Sequence, residues 1–401
     1  MLKQVSTCLG CSSRRVLELL DFGAQPPSNR FIRSGEVSRE FHGLRITQCQ
    51  DCALIQLQDP MPPTMVKSHF DWLTYKEPET HLDNLVEYLS RLPSLTPNAR
   101  IVGLTYKDDS TLVRFNRMGY ANIMRLDLRQ DLGLSDSCAG LESIQGAVIE
   151  KHMQVLAAQH GAADLIIVRH VLEHSHDPGE FLRAFRPMLS PGGHLVLEMP
   201  DCSKFIAVCD YSFVWEEHIT YFSPATFSRF ARRHGFVVKD LLNYPYPLEN
   251  SLVAILTPGE QLVQEFSVHE EVALGYRFAE SFPIRRNAIR GQLQRLHGEG
   301  QRIAVFGAGH LAAKFLNLFD LREIVECVID DNPNKQGLRM PGSNLPVLGS
   351  RKLDEGEIDL CLLSLSPESE KKVLATKQGF LAKGGRFASI FELSPLSLRL
   401  G

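Results

Sequence analysis

The fold class follows from the stretch Asp164–Leu197, which reads DLIIVRHVLEHSHDPGEFLRAFRPMLSPGGHLVL. Its two apolar runs, Asp164–Val168 and His194–Leu197, are short and uninterrupted, as buried strands are. Between them, Pro178–Leu189 places apolar side chains at helical spacing, with proline at its start and Pro-Gly-Gly after its end. A strand, a helix and a second strand in this order predict two parallel strands joined by a crossover helix.

Two further apolar runs, Ile101–Leu104 and Asn122–Leu126, extend the alternation toward the N-terminus. We therefore predict an α/β domain with a mostly parallel, doubly wound sheet over residues 96–258. Ligands of such sheets bind at the carboxyl ends of the strands. The loops that follow Leu104, Leu126 and Val168 are thus expected to meet at a ligand site.

Cys8, Cys11, Cys49 and Cys52 form two CxxC pairs within residues 1–60. Two such pairs a few dozen residues apart are the signature of a tetrahedral zinc site with four thiolates. The competing interpretations are disulfides, which a reducing compartment disfavours, and redox motifs, which the presence of two pairs disfavours. Because four protein ligands fill the coordination sphere, we expect a structural zinc ion in a small, loop-rich N-terminal domain.

A second α/β unit is predicted over residues 301–401. A strand there, Arg302–Phe306, is followed by two glycines. Gly307 permits a tight turn, and Gly309 lets a phosphate approach the backbone amides. Asp330 or Asp331, after the next strand, stands where an acidic ribose partner is expected. The pattern indicates a Rossmann-like domain for a dinucleotide or a sugar nucleotide, and glycines that serve only the turn are the alternative.

Composition narrows the class of protein. The 401 residues are 44% hydrophobic and 22% charged, as in soluble globular proteins, and suffice for two or three domains. We expect a connector at residues 61–95 and a connecting helix at residues 259–300.

A formal net charge of −4 provides no basic surface for nucleic acid or an anionic membrane. No apolar run matches a membrane span or a signal sequence, so we predict a cytoplasmic protein.

The segment Val214–Ser223 reads VWEEHITYFS and carries the side chains of a proton-transfer site. The carboxylates of Glu216 and Glu217, the imidazole of His218 and the phenol of Tyr221 are groups that accept and donate protons. An isolated cluster of this kind is more often a polar loop. Here it follows a predicted strand of a ligand-binding sheet, which favours a functional role.

The chain resembles the three-domain C-methyltransferases that act on nucleotide-linked keto-deoxysugars. The four cysteines and the segment Pro26–Phe31 (PPSNRF) resemble that family's zinc domain. His170–His174 (HVLEH) and Glu217–Ser223 (EHITYFS) are similar to its methyltransferase domain. Asp330–Gly337 (DDNPNKQG) is similar to its substrate domain. The resemblance therefore runs nearly end to end.

The resemblance implies a class I methyltransferase-like middle domain and methylation of a sugar carbon from S-adenosylmethionine. It also implies that His218 removes the proton beside the ketone, that Glu217 assists it, and that Tyr221 is a third catalytic candidate. The enolate formed in this way attacks the methyl group of the cofactor. The cofactor-binding candidates are Thr105, Asp108, Asp127, Arg169 and His170, and the substrate-binding candidates are Gly307, Gly309, His310, Asp330 and Lys335.

One loop departs from the family pattern. The family reads roughly E-I-G-x-x-D-G after the first strand of the sheet, whereas residues 103–109 read GLTYKDD. Gly103 replaces the acid, and Thr105 and Asp109 replace glycines that let the backbone pass under the cofactor. Three alternatives therefore stay open: a cofactor-independent epimerase or isomerase, a non-catalytic sugar-nucleotide-binding protein, and an NAD-dependent oxidoreductase.

His170 and His174 are four residues apart, a spacing that metal ligands on a helix also show. In this context we expect them to line the cofactor side of the sheet or to cap the following helix.

Overall fold

The computed structural model describes residues 7–73, 77–136, 140–260 and 267–398, and these form three sheets with flanking helices. The strands are β1 (Val16–Gln25), β2 (His42–Cys49), β3 (Ile55–Gln58), β4 (Ile101–Gly103), β5 (Ile123–Arg125), β6 (Ala163–Arg169), β7 (Leu189–Asp201), β8 (Thr220–Tyr221), β9 (Phe236–Tyr244), β10 (Asn250–Pro258), β11 (Ile303–Phe306), β12 (Val325–Ile329), β13 (Val347–Leu348), β14 (Leu360–Leu363) and β15 (Arg386–Ser389).

The helices lie between and beside these strands. They are α1 (Pro63–Val66), α2 (Leu82–Leu89), α3 (Asp109–Arg117), α4 (Leu141–Ala147), α5 (Glu150–His160), α6 (Pro178–Ala184), α7 (Ser203–Val208), α8 (Pro224–Arg233), α9 (His269–Gly298), α10 (His310–Leu318), α11 (Arg351–Asp354), α12 (Pro367–Thr376) and α13 (Gln378–Ala382).

The central sheet has the strand order β5-β4-β6-β7-β10-β9. Its first four strands are parallel, and β10 and β9 complete it in antiparallel order. Alternate residues of β4, β6, β7 and β10 belong to two different hydrophobic clusters, so both faces of the sheet are covered. This burial explains the uninterrupted apolar runs and confirms the predicted doubly wound α/β fold.

The helix expected over Pro178–Leu189 is shorter than its periodicity suggests. α6 ends at Ala184, a 3₁₀ turn follows at Arg186–Met188, and Leu189 already belongs to β7. Pro187 has no N–H to donate and its ring obstructs the preceding turn, so the regular helix stops before it.

The N-terminal residues form an antiparallel sheet, β1-β2-β3-β8, rather than a mainly loop-like zinc domain. Its fourth strand comes from the EEHITYFS segment, because Ile55 pairs with Tyr221 and Gln56 with Thr220. Strand pairing therefore fixes the candidate proton-transfer loop against the N-terminal domain.

The C-terminal sheet, β13-β12-β11-β14-β15, is entirely parallel, as the predicted Rossmann-like unit requires. The long helix α9 precedes it and contains Pro283. Of the five cysteines outside the CxxC pairs, Cys138 lies outside the described residues; the other four, Cys202, Cys209, Cys327 and Cys361, are buried thiols. Among the helices in the described part of the chain, none combines the length and the apolar character needed to cross a membrane.

Candidate active site and zinc centre

The four N-terminal cysteines converge on one point. Their sulfurs lie within 4.8 Å of one another, with Cys8 Sγ 3.5 Å from Cys52 Sγ and Cys11 Sγ 3.5 Å from Cys49 Sγ. These separations are too long for a disulfide and close to the roughly 3.8 Å edge of a tetrahedron with 2.3 Å Zn–S bonds. The residues present therefore fit a structural zinc ion.

The two CxxC turns have the same backbone geometry. The amides of Gly10 and Asp51 point at the sulfurs of Cys8 and Cys49, at 3.3 and 3.4 Å. The residue that follows each pair, Ser12 or Ala53, has a left-handed backbone with φ of 60° and 61°. Amide donors of this kind stabilise thiolates, and the repeated turn shows why two separate sequence segments present equivalent sulfurs.

A cavity of 490 Å³ opens where the three parts of the chain meet. It lies at the carboxyl ends of β4–β7, as expected for a doubly wound sheet. Its size is that of a small-molecule site. The residues that line it include Asn29 and Phe70 from the N-terminal part, Tyr106, Lys107, Leu128, Leu141, Glu142, His170, Glu173, His174, Glu217, His218 and Glu249 from the middle, and His310 and Leu311 from α10.

His218 sits in a loop whose backbone is held at several points. The amide of His218 donates to Trp215 O at 3.1 Å, and the amide of Ile219 donates to Glu173 O at 2.7 Å. Trp215 stacks on His310 with ring centroids 4.2 Å apart and an interplanar angle of 19°. The imidazole that the sequence singled out therefore lies between the central sheet and the C-terminal sheet.

Tyr221 holds the backbone of this loop through its hydroxyl group. Its hydroxyl accepts from the amide of Trp215 and donates to the carbonyl of Trp215, both at 3.0 Å. Tyr221 is not among the described residues that line the cavity. The structure thus places Tyr221 in contact with the backbone of the loop, whereas Glu217 and His218 face the cavity.

Glu216 and Glu217 have different surroundings. Glu216 is buried and pairs with Lys314 of α10, and it also accepts from the amide and hydroxyl of Ser28. Glu217 accepts from Asn29 Nδ2 at 3.2 Å. Burial, together with the nearby charge of Glu216, raises the pKa of Glu217 well above its usual value, which favours the protonated form of this side chain.

The histidines of the cavity differ in charge. Burial lowers the pKa of His174 and of His218 to about 3, which keeps both imidazoles neutral at neutral pH. His170 is also buried, but the carboxylates of Glu77, Glu173 and Glu198 outweigh burial and raise its pKa to about 10. Burial also lowers the pKa of His310, to about 4, so one cationic and three neutral imidazoles face the same cavity.

Asp108 explains the loop that departs from the family pattern. Its Oδ2 accepts from the amides of Leu104 and Thr105 at 2.8 and 2.7 Å, and its Oδ1 accepts from the amide of Arg169 at 2.9 Å. A Cβ at Gly103 would lie 2.9 Å from the Leu112 side chain and 3.0 Å from Asp108 Cβ. A side chain at 103 would therefore require Leu112 and Asp108 to shift, so the loop in this arrangement favours glycine over the acid that the family carries there.

The remaining cofactor-site candidates occupy different positions. Thr105, Asp108 and Arg169 are buried and support the loop, with Arg169 bound to Glu198 and to the carbonyl of Lys107. His170 lines the cavity with a left-handed backbone, φ 53°, a conformation that is sterically costly for histidine.

Asp127 is exposed after β5, and its Oδ1 accepts from the amides of Arg129 and Gln130. The next residue, Leu128, lies with Leu141 and Glu142 at one end of the cavity. The apolar side chains of Leu128 and Leu141 fit a flat group such as adenine, and the carboxylate of Asp127 can accept from a ribose hydroxyl.

The substrate-site candidates cluster at the glycine turn after β11. Gly307 has φ 103°, and a Cβ there would meet the side chains of Leu365 and Ser364 at 2.7 and 2.9 Å, so only glycine fits. Asp330 accepts from the amide of Ala308 at 2.8 Å and from Lys335 Nζ at 3.0 Å, which fixes the turn.

A cavity of 140 Å³ adjoins the main one at the same turn, and its lining includes Gly309, His310 and Lys335. Gly307 and Asp330 thus shape the turn, whereas Gly309, His310 and Lys335 face the space beside it.

Two functional side chains were not foreseen from the sequence. Glu77 lines the cavity and pairs with Lys107 at 3.0 Å, and Lys314 is fully buried against Glu216. The signal for Lys314 is its position in HLAAKFLNL, where a single charge interrupts an apolar helix and requires a buried partner. No local pattern marks Glu77.

Three family descriptions match the chain in succession. They are a zinc binding domain over residues 8–66, a methyltransferase domain over residues 123–241 and a C-methyltransferase C-terminal domain over residues 262–391. A curated relative, the C-methyltransferase NovU of Streptomyces niveus, is 22% identical over 405 aligned residues, which cover 96% of each chain.

Solved structures with weaker likeness include two S-adenosylmethionine-dependent methyltransferases. The protein from Anabaena variabilis is 14% identical with a TM-score of 0.32, over 44% of this chain and 85% of that one. The protein from Clostridium acetobutylicum is 9% identical with a TM-score of 0.31, over 46% of this chain and 93% of that one.

Proposed function

Because this chain is a member of the C-methyltransferase family, with its zinc-binding, methyltransferase and C-terminal domains, we propose that it methylates a carbon beside a ketone in a nucleotide-linked deoxysugar. One observation carries the proposal. A single cavity joins the cofactor side of the central sheet, the His218–Glu217 pair and His310 of the C-terminal part. A C–H bond next to a ketone is acidic enough for a positioned side chain to break.

Zinc and S-adenosylmethionine are the cofactors of this enzyme. The four cysteines hold the zinc, which cross-links the N-terminal domain. Leu128 and Leu141, which line the cavity, and the exposed Asp127 before Leu128 are the residues proposed to hold the adenosine part of S-adenosylmethionine. Hydrogen bonds from the amides of Thr105 and Arg169 to Asp108 support the neighbouring loop. When bound, S-adenosylmethionine supplies an electrophilic methyl group.

His218 is the proposed base. Its neutral imidazole has one nitrogen lone pair free to accept the proton beside the ketone. A pKa near 3 rather than 6.5 makes protonation costlier by about 5 kcal/mol, a cost offset by attraction between the imidazolium and the enolate as both charges form. In its protonated form, which burial favours, Glu217 assists by donating a hydrogen bond to the ketone oxygen, where negative charge develops.

Tyr221 contributes through the backbone of Trp215, since its hydroxyl bridges the amide and carbonyl of that residue. His170, as a cation on the same wall, is proposed to attract a negatively charged part of a ligand, such as the carboxylate of the cofactor.

The small cavity beside the main one is the proposed site of the nucleotide diphosphate. The backbone at Gly309, which caps α10, and the ammonium group of Lys335 offer a helix N-terminus and a positive charge, the pair of features that suits a phosphate. Asp330 holds Lys335 and Gly307 shapes the turn. A cytoplasmic location is part of this proposal, because it keeps the thiolates reduced.

Mass spectrometry of the reaction product tests the proposal. The full chain, S-adenosylmethionine and a nucleotide-linked 4-keto-deoxysugar are expected to yield a sugar that is heavier by one methylene group. His218→Gln is expected to lower the rate by about 100-fold or more. His160→Gln, at a half-buried histidine outside the cavity, is the matched control and should retain full activity. Solvent-proton exchange without methylation would favour the epimerase or isomerase alternative instead.

A further inference from the structure

Glu173, His174 and His218 converge on one wall of the cavity. One donor atom from each lies within 4.8 Å of the other two. Glu173 and His174 are 2% and 5% exposed, on a 3₁₀ turn, and the amide of Ile219 bonds to Glu173 O. That backbone bond holds the turn and the His218 loop together, so the three side chains are fixed relative to one another.

Two of the buried polar atoms in this cluster have no hydrogen-bond partner among the described residues. They are Glu173 Oε2 and His174 Nδ1. Native proteins satisfy nearly all such atoms, and each exception costs about 1–3 kcal/mol. The other carboxylate oxygen, Oε1, is 3.4 Å from His170 Nδ1, and the rings of His174 and His218 meet edge to face at 4.9 Å. Both unpaired atoms belong to residues that converge on one point, and a cation bound there would supply a partner to this carboxylate and this imidazole.

We propose that Glu173, His174 and His218 form a binding site for a divalent transition-metal ion, separate from the four-cysteine zinc centre. Two imidazoles and one carboxylate are a donor set that binds Zn²⁺, Co²⁺, Ni²⁺ and Fe²⁺. The cavity adjoins the three donors, so water or a substrate oxygen can complete the coordination. Two positive charges on the same cavity are paired, Lys107 with Glu77 and His170 with Glu198, which limits their repulsion of a cation.

A metal ion bound at this site would prevent His218 from acting as the base, a consequence that rests on the proposed function. A neutral imidazole has a single lone-pair nitrogen, and a coordinate bond to the metal uses it. While the metal is bound, His218 cannot accept the proton from the carbon beside the ketone. The metal is therefore a competitive blocker of the proposed base, and its removal restores proton transfer.

Titration of the zinc-loaded full chain with Co²⁺ tests the site directly. Co²⁺ bound by nitrogen and oxygen gives weak visible bands, whereas Co²⁺ that displaces zinc from thiolates adds intense sulfur charge-transfer bands, so the two sites are separable. We expect one equivalent of Co²⁺ at the nitrogen–oxygen site. His174→Phe and Glu173→Gln should each weaken its binding by about 10-fold or more, and His160→Gln should not change it.

Circular dichroism of each variant establishes that it is folded. Absence of the nitrogen–oxygen spectrum in the wild-type chain, or its persistence at full strength in both folded variants, would overturn the metal site.

Deuterium incorporation beside the ketone, in deuterium oxide, tests the competition. Saturating Co²⁺ is expected to slow exchange by about 100-fold, and a chelator that leaves the cysteine-bound zinc in place should restore it. Faster exchange with Co²⁺ would overturn the competition. A wild-type chain that keeps its cysteine-bound zinc, holds no Co²⁺ and shows no exchange would refute the proposed function, whereas the Co²⁺ spectrum would still decide the metal site.

Discussion

The buried pair between Lys314 and Glu216 provides the sharpest stability prediction. Both side chains are 0% exposed, and the pair joins α10 of the C-terminal part to the loop that carries His218. Lys314→Met removes the cation and leaves the carboxylate buried, where the amide and hydroxyl of Ser28 remain as its hydrogen-bond donors among the described residues. Loss of one member of a buried ion pair costs about 3–5 kcal/mol, because the remaining charge stays out of water.

A second substitution should reverse most of this loss. In the double variant Glu216→Gln/Lys314→Met no charge is buried, and the glutamine oxygen still accepts from Ser28. We therefore expect the double variant to lie within about 1 kcal/mol of the wild-type protein in free energy of unfolding. Lys371→Met, at an exposed lysine of α12, is the control for the loss of a lysine charge and should leave stability unchanged.

Urea unfolding followed by circular dichroism measures all four proteins. The single variant should unfold at a clearly lower urea concentration than the double variant. A loss below about 1 kcal/mol in Lys314→Met, or a double variant as unstable as the single one, would refute the conclusion that the pair is buried and charged.

Three further predictions concern other parts of the chain. Cys49→Ser should lose the bound zinc, measured as metal per chain by mass spectrometry, whereas Cys327→Ser should keep it; retention in both would contradict the four-thiolate site. Burial raises the pKa of Asp210 to about 6 from 3.8, so the folded state keeps a proton that the unfolded state releases, and stability falls as pH rises through that window. Relative to wild type, Asp210→Asn should therefore gain about 3 kcal/mol in urea unfolding between pH 3.8 and pH 6, and a constant difference would contradict the assignment. Tyr221→Phe should lose about 1–3 kcal/mol of stability, because the hydrogen bonds between the Tyr221 hydroxyl and the backbone of Trp215 are lost, and an unchanged stability with lost activity would instead favour a direct catalytic role.

The sequence predicts the features that depend on local spacing. The four cysteines, the strand–helix alternation and the glycines after β11 each follow from residue types at short separations, and the fold class is confirmed. The neighbourhood of His218 depends on distant residues and could be inferred only in outline. Its loop forms a strand with Ile55 and Gln56, and its carboxylate neighbour Glu216 is paired with Lys314, almost a hundred positions away.

The altered cofactor loop also has one feature that the sequence shows and one that only the structure shows. The replacement of the family acid by Gly103 is visible in the sequence, but its steric cause is the approach of Leu112 and Asp108, which only the folded chain reveals. The helix that stops before Pro187 could be anticipated from proline chemistry, whereas the start of β7 at Leu189 depends on pairing with Ala163 in β6.

Deuterium exchange in the presence of S-adenosylhomocysteine tests the central claim most directly, because it isolates proton removal from methyl transfer. The zinc-loaded chain, with no other metal added, is incubated with a nucleotide-linked 4-keto-deoxysugar in deuterium oxide. It should incorporate deuterium at the carbon beside the ketone, as detected by nuclear magnetic resonance. His218→Gln should slow this incorporation by about 100-fold or more, and His160→Gln should leave it unchanged. Equal exchange in the wild-type protein and His218→Gln would contradict the assignment of His218 as the base.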